Sequence, residues 1–430
     1  MTYETVAIVV SIVFLLFLSS GVWVAVALGL SGFALYIFRD GWSGVQSVGF
    51  LIFNSLESYD YVALPLFVFL ATILSSCGIA GRLYAFSAAL FGRFPGGLLH
   101  ANIAGSAMFS SVCGSTAATC AAMGTIAVPE LRRRKYPEGI AVGTLAAGGT
   151  LGPMIPPSLA FIVYGVLTDT SIGQLFVAGI IPGIVLSALF MGYIYIRCRI
   201  KKDVPVETDV PRGEVLRLAL GVWPVLALFV GILGGMYFGV FTAVEAGAVG
   251  CLASLAIAAA SGGLTWANLR TALREGTHIS GMIMFVLVGG MLLGHGFSNM
   301  GIPQQMVAAV SDAGLGPIQF IMVLTVLYLL LGMFLDGSAV LVVTMPLVFP
   351  VAVAMGFDPV WFGVLVIIFC EMAAITPPVG VNLSVLQGVT RAPLEVIALG
   401  AAPFLVLLVV MVGLIVAFPD VVMFLPKMMY

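Results

Sequence analysis

Charge is what this sequence has least of. Only 8% of its 430 residues are Asp, Glu, Lys or Arg, where an ordinary soluble domain carries roughly 25%. That excludes a water-solvated globule. Histidine is scarcer still: His100, His278 and His295 lie far apart and match no metal-ligand spacing. The six cysteines, Cys77, Cys113, Cys120, Cys198, Cys251 and Cys370, form no Cys-x-x-Cys pair and mostly lie in apolar stretches. They read as small buried hydrophobes rather than a redox or metal set. No Lys or Arg precedes the first apolar run, so that run is not a secretory signal and is expected to stay in the mature chain.

What is present is apolar surface, 61% of residues, in runs of about 20 residues that match the thickness of a bilayer core. Continuous crossings are expected at 4–20, 22–38, 60–77, 139–167, 174–196, 217–238, 239–260, 276–297, 360–390 and 394–418. Two further apolar stretches, 98–130 and 317–355, are interrupted by small polar residues: Cys113, Gly114, Ser115 and Thr116 in one, Asp336, Gly337 and Ser338 in the other. A break at membrane depth must be shielded by protein or face a water-filled cavity. Both stretches are therefore expected to be re-entrant helical hairpins, the alternative being a pair of short helices with an exposed turn. The expected fold is an all-α integral membrane protein of about ten crossings with two such hairpins.

The few charges test that topology. With 132–135 placed in the cytoplasm, Arg82, Arg93, Arg197, Arg199, Lys201, Lys202, Arg212, Arg217, Arg270, Arg274 and Arg391 fall on the same side. Only Arg39 and Lys427 are left outside, as the positive-inside rule requires. Both termini are then expected outside the cytoplasm.

The hydrophilic stretch 197–217 divides the chain into halves that resemble each other. Gly78 precedes Gly114 by 36 positions and Gly301 precedes Gly337 by the same 36. From each break the chain runs about 40 positions to a Pro-Pro pair, Pro156-Pro157 or Pro377-Pro378. Five crossings per half make the second half inverted relative to the first. Inverted repeats with discontinuous helices mark secondary transporters, whose sites lie near the bilayer midplane.

The segment 148–158 holds three glycines and three prolines inside a crossing, and 376–382 breaks its counterpart with Pro377, Pro378 and Gly380. Proline removes a donor and clashes with the preceding turn, so regular helix stops there. Unwound backbone leaves carbonyls for a cation, and helix N-termini attract an anionic substrate group. Two sodium sites are expected, each between a hairpin tip and the unwound crossing of its own half. The first takes Ser111, Gly114, Ser115, Thr116, Gly149, Thr150, Gly152 and Pro153. The second takes Asp336, Gly337, Ser338, Thr376, Pro377, Gly380 and Asn382. Substrate is expected against Ser115, Pro157, Ser158, Ser338 and Asn382. No organic cofactor is called for, with Na+ as the coupling ion. Each hydroxyl has the competing role of bonding a nearby helix carbonyl. Glu245 and Glu371, in apolar crossings, are costly enough to suggest function, or they accept from backbone donors freed at the breaks.

These motifs carry a resemblance. The run 114–119, then Gly149, Thr150, Gly152, Pro153, Pro156, Pro157 and Ser158, resembles the large membrane subunit of tripartite ATP-independent periplasmic (TRAP) transporters. So do 63–67, 94–97, Thr242 with Glu245 and Ala246, and Thr376, Pro377, Pro378, Gly380 and Asn382. The tip reads Ser-Thr where related sequences often show Ser-Ser, which keeps a hydroxyl. The resemblance implies a multi-pass protein of a bacterial or archaeal cytoplasmic membrane that imports a carboxylate on a sodium gradient. It implies an elevator-type mechanism, a small membrane subunit (expected here as a separate chain) and a periplasmic solute-binding protein. On that pattern residues 1–97 are scaffold helices and an interfacial arm, and 98–167 the first hairpin and unwound helix of the transport unit. Residues 168–316 are scaffold with the linker 197–217, 317–390 the second hairpin and unwound helix, and 391–430 a C-terminal helix. The rivals are a stand-alone carboxylate carrier, an intramembrane enzyme using His295, Asp336 or Glu371, and a passive channel.

Overall fold

The computed structural model describes residues 9–10, 12–14, 16–17, 20–205 and 211–429. The expected crossing 4–20 lies largely outside them. Among the described residues the chain is helical throughout, with no strand.

The first half opens with α1 (Val24–Asp40) and α2 (Gly44–Leu56), followed by α3 (Ala63–Ser76) and the short α4 (Ile79–Phe91). The interrupted stretch forms α5 (Leu98–Cys113) and α6 (Thr116–Arg133). Next come α7 (Glu138–Gly149), α8 (Leu159–Thr168) and the long α9 (Ile172–Lys201). The second half has α10 (Arg212–Tyr237), α11 (Ala243–Ala260), the long α12 (Trp266–Asn299) and the short α13 (Ile302–Asp312). Then follow α14 (Pro317–Gly332), α15 (Gly337–Ala354), α16 (Pro359–Ala374), α17 (Val381–Thr390), α18 (Leu394–Ala417) and α19 (Asp420–Lys427).

From α3 and from α12 onward the two halves run through the same elements: helix, short helix, hairpin, broken helix, long helix. Backbone landmarks recur with them. Gly78 and Gly301, at φ 74° and 70°, start the short helices in the left-handed region where glycine carries no Cβ penalty. Both Pro156-Pro157 and Pro377-Pro378 are cis. Asp169 and Arg391, each with positive φ, end α8 and α17.

Seven helices among the described residues are long and apolar enough to cross a bilayer alone. Six coincide with expected crossings, and the seventh is Gly337–Ala354, the second arm of the second hairpin. The expected crossing 22–38 is the 17-residue α1. The crossings 139–167 and 360–390 each divide into two short helices around an unwound segment, α7–α8 and α16–α17. Those broken helices form the centre of the molecule. In α16 every residue from 360 to 374 is buried, and in α7 every residue from 140 to 149. Surface-facing helices such as α10 instead expose Leu216, Leu220, Trp223 and Val230, the aliphatic belt expected against lipid.

The halves exchange partners at this centre. The second arm of each hairpin packs on the second piece of the other half's broken helix, α6 on α17 and α15 on α8. Helix α18 lies along α7, where a Cβ on Gly143 would fall 2.1 Å from the Gly400 carbonyl oxygen. Only two glycines permit that backbone-to-backbone approach. At the polar edge Arg132 donates to Glu138 at 2.7 Å and to the Thr390 carbonyl at 2.6 Å, tying the end of α6 to the C-terminus of α17. In the linker, two 2.8 Å bonds from the Arg197 guanidinium hold the Asp203 carboxyl below the usual carboxylate range.

Candidate site at the hairpin tips and unwound helices

The first hairpin turns at Gly114, φ 60°, and Ser115, which is extended and makes no capping bond through its side chain. The turn is pressed onto the unwound segment that follows α7. A Cβ on Gly114 would meet the Pro157 carbonyl oxygen and the Leu159 nitrogen at 3.1 Å. A Cβ on Gly152 would lie 2.9 Å from the Ser115 carbonyl carbon and 3.0 Å from its oxygen and from the Thr116 nitrogen. Glycine at both positions is what allows the two backbones to touch. From the other side Gly179 and Gly183 of α9 seat the same segment against Met154 and Ile155. Among the described residues no backbone donor falls on the carbonyls of residues 150 and 152–157, or of 375–378. Three of the nine residues in 150–158 are prolines and bring no N–H of their own. Free carbonyls therefore line both breaks.

The hydroxyls divide into two kinds. Ser111 donates to Met108 O at 2.7 Å, Thr150 to Ala147 O at 2.7 Å and Thr376 to Met372 O at 2.6 Å. These satisfy the local helix, although each oxygen keeps lone pairs free to accept. Thr116 behaves differently. Its Oγ1 donates to Asn382 Oδ1 at 2.7 Å, across 266 positions of sequence. Asn382 is fully buried and its Nδ2 donates to Ala146 O at 3.2 Å, while Gly149 lies close enough that a Cβ there would meet Nδ2 at 2.8 Å. Sequence spacing groups Asn382 with the second tip. Its hydrogen bonds go to the first, because α17 crosses onto α6.

The second tip is more open. Asp336 is the N-cap of α15, its Oδ2 accepting from the Ser338 N–H at 3.1 Å, and both residues are exposed. Gly337 packs on Cys370 of α16, where a Cβ would sit 3.3 Å from the Cys370 Cβ. Gly380 starts α17 at φ 35°. Among the described residues no hydrogen bond joins this tip to Thr376, Pro377 or Gly380, and the tip is held by its packing on α16. Ser158 is buried as the N-cap of α8, accepting from Phe161 N at 3.4 Å, with Pro153 and Pro157 in the loop before it. Glu245 closes a capping box with Thr242 at the exposed start of α11: its Oε2 accepts from Thr242 N at 2.8 Å and from Thr242 Oγ1 at 2.9 Å.

Further polar atoms lie at the centre, of which sequence reasoning pointed to Ser110 beside the first tip but not to Asn102, Ser106 or Thr119. Ser106, Ser110 and Thr119 bury hydroxyls that make no hydrogen bond among the described residues, and Asn102 buries a bare Oδ1 while its Nδ2 donates to Thr144 at 2.8 Å. Asn102, Ser106 and Ser110 recur every fourth residue, so they share one face of α5. That period was the available signal.

Oxygen-rich breaks pinned between packed helices, in a chain whose other surface is aliphatic, define a helical membrane transporter. The family follows from comparison with known proteins. Residues 11–421 match the tripartite ATP-independent periplasmic transporter, DctM component, and the chain belongs to that family. It is 36% identical over 406 residues to the C4-dicarboxylate TRAP transporter large permease protein DctM of Pseudomonas aeruginosa, covering 93% of this chain and 94% of that one. It is 30% identical to the isethionate TRAP transporter permease protein DctMQ of Oleidesulfovibrio alaskensis, covering 96% of this chain and 65% of that longer one. The crystal structure of the Alcanivorax borkumensis YdaH transporter shares the fold with a TM-score of 0.65 at 12% identity, over 94% of this chain and 98% of that one. The relatives are permease subunits of transporters, not enzymes.

Proposed function

We propose that this chain is the transporting subunit of a sodium-coupled importer of small organic anions, of the carboxylate class that its C4-dicarboxylate relative handles. The carrying observation is the first hairpin tip, pressed onto an unwound segment with free carbonyls and bridged by Thr116 to Asn382. The donor set is oxygen only, carbonyls, hydroxyls and an amide, which suits a hard cation such as sodium. At the first break Ser111, Ser115, Thr116 and the carbonyls around Gly149, Thr150, Gly152 and Pro153 would hold one ion. At the second, Asp336, Ser338 and Thr376, with the carbonyls near Pro377, would hold another. The bound ions supply positive charge beside the N-termini of α8 and α17, and the chain's own part is to present those ends and Ser158 to the anion.

In this reading the repeated order of elements is an inverted repeat. The hairpins and broken helices move as one body past the outer helices, an elevator. The small permease partner and the periplasmic binding protein of such systems complete the transporter. The isethionate relative, whose name joins M and Q, allows the small partner to be fused or separate. The bias of the basic residues supports a cytoplasmic 132–135 loop, with both termini outside the cytoplasm.

The test is uptake of a carboxylate panel into proteoliposomes under an imposed inward sodium gradient, with each component omitted in turn. Uptake that requires sodium and all components is the expected result. Sodium-driven uptake by this chain alone would make it a stand-alone carrier, and conductance without sodium coupling would make it a channel.

A further inference from the structure

Among the described residues Glu371 is the one carboxylate in the centre of the molecule that neither caps a helix nor faces solvent. It sits on α16, 2% exposed, and its Oε2 has no hydrogen-bond partner among the described residues. None of the ion pairs among those residues includes it. The Thr116 hydroxyl lies within hydrogen-bonding reach of its carboxyl group. Beyond Thr116 stands Asn382 Oδ1, at 2.7 Å from the same hydroxyl.

An ionised carboxylate buried without compensation is strongly unfavourable. Neutralising it with a proton does not complete the site. Thr116 has one hydroxyl proton and commits it to Asn382. It can accept from a protonated Glu371, but one carboxyl oxygen then still lacks any partner, whichever oxygen bears the proton. Only a species brought from outside satisfies both.

We propose that Glu371, Thr116 and Asn382 form a third monovalent-cation site, made where α6 of the first half meets α16 and α17 of the second. Its ligand class is sodium, because every donor is a hard oxygen and one negative charge balances one monovalent ion. The inference rests on the sodium-coupled reading above, and it differs from the two tip sites in drawing its ligands from both halves. Occupancy would draw the α6 tip and the α16–α17 break together. Glu371 is then a positioning and charge-balancing ligand, not a group that meets the transported anion.

Equilibrium binding of radiolabelled sodium to the purified full chain tests it, with wild type, Glu371→Gln and Thr116→Val compared at matched monodispersity. Glu371→Gln keeps the shape and removes the charge, so it should bind one sodium fewer per chain. Thr116→Val should weaken that same ion and the first-break ion together, because Thr116 belongs to both sites, so Glu371→Gln is the variant that isolates the third. As many ions on Glu371→Gln as on wild type would overturn the inference alone, whereas a wild type that binds none would remove the sodium reading with it. Infrared difference spectra of the wild type need no variant to fold. A protonated-carboxyl band that gives way to a carboxylate band on sodium addition is expected, and a protonated-carboxyl band that persists at saturating sodium would overturn the site.

Discussion

Replacing Gly152 by alanine tests whether the tip and the unwound segment must touch. The added methyl would lie 2.9 Å from the Ser115 carbonyl carbon and 3.0 Å from two further backbone atoms. Ordinary carbon contacts begin near 3.5 Å, so the tip must retreat by about 0.5 Å. The obstacle is backbone, not the end of a flexible side chain, and overpacking of this kind costs about 1–3 kcal/mol. If that cost falls on the sodium-bound arrangement, half-saturation by sodium rises about 5- to 150-fold, at 1.4 kcal/mol per tenfold. The assay is the sodium dependence of uptake in proteoliposomes, with expression and monodispersity matched to wild type. Gly192→Ala on α9 is the control, because nothing lies within 4 Å of its added Cβ. It should leave sodium dependence alone and favour the helix by about 0.5–1 kcal/mol. A Gly152→Ala variant with wild-type sodium dependence would refute the claim that tip contact forms the site.

Other perturbations separate the elements of the arrangement. Asn382→Ala breaks the bonds to Thr116 and Ala146, and a buried polar group left bare costs about 1–3 kcal/mol. It should raise the sodium concentration for half-maximal uptake, and Ser115→Ala should act in the same direction; unchanged values in both would remove those side chains from the sites. Glu245→Ala opens a capping box, so thermal stability should fall by about 1 kcal/mol while sodium dependence stays as it was. A shifted sodium response there would show that Glu245 is functional. Arg132→Glu removes the clamp on Thr390 O and puts an acid at a helix C-terminus, which should lower stability by about 1 kcal/mol or less. Cysteine-accessibility labelling should find the 132–135 loop on its original side, since Arg133, Arg134 and Lys135 remain; relocation of the loop would mean that Arg132 alone decides its side.

Much of this fold is legible in the sequence because the bilayer allows so few solutions. Long apolar runs must be helices, and interruptions by Gly, Ser, Thr or Pro must be tips or unwound segments. The hairpins at 98–130 and 317–355, and the breaks beside the two Pro-Pro pairs, follow from that alone. Some local roles were legible and went unread. Thr242-x-x-Glu245 is the spacing of a capping box, and Asp336 ahead of Gly337 and Ser338 is an N-cap followed by an apolar helix. Asn382 is a different case. No local rule links it to Thr116, because the contact depends on how the second half docks against the first. The same holds for Glu371, whose approach to the Thr116 hydroxyl depends on that docking too.

That exchange of partners bears on coupling. Were each tip to close only on its own half's break, the two ion sites could fill independently. Here α17 brings Asn382 onto the first tip, and α8, the continuation of the first break, lies against α15 of the second hairpin. A shift of either unwound segment therefore moves a helix that the other hairpin packs upon. Close packing transmits such shifts rather than absorbing them. Gly149, Cys120 and Asn382 leave no free volume at the crossing, since a Cβ on Gly149 would meet the Cys120 sulfur at 2.2 Å. Ion binding at one break should then change affinity at the other, and by linkage the effect must be reciprocal. Loosening the junction with Asn382→Ala should lower the steepness of the sodium response as well as its midpoint. A midpoint shift with unchanged steepness would mean that the halves communicate by another route.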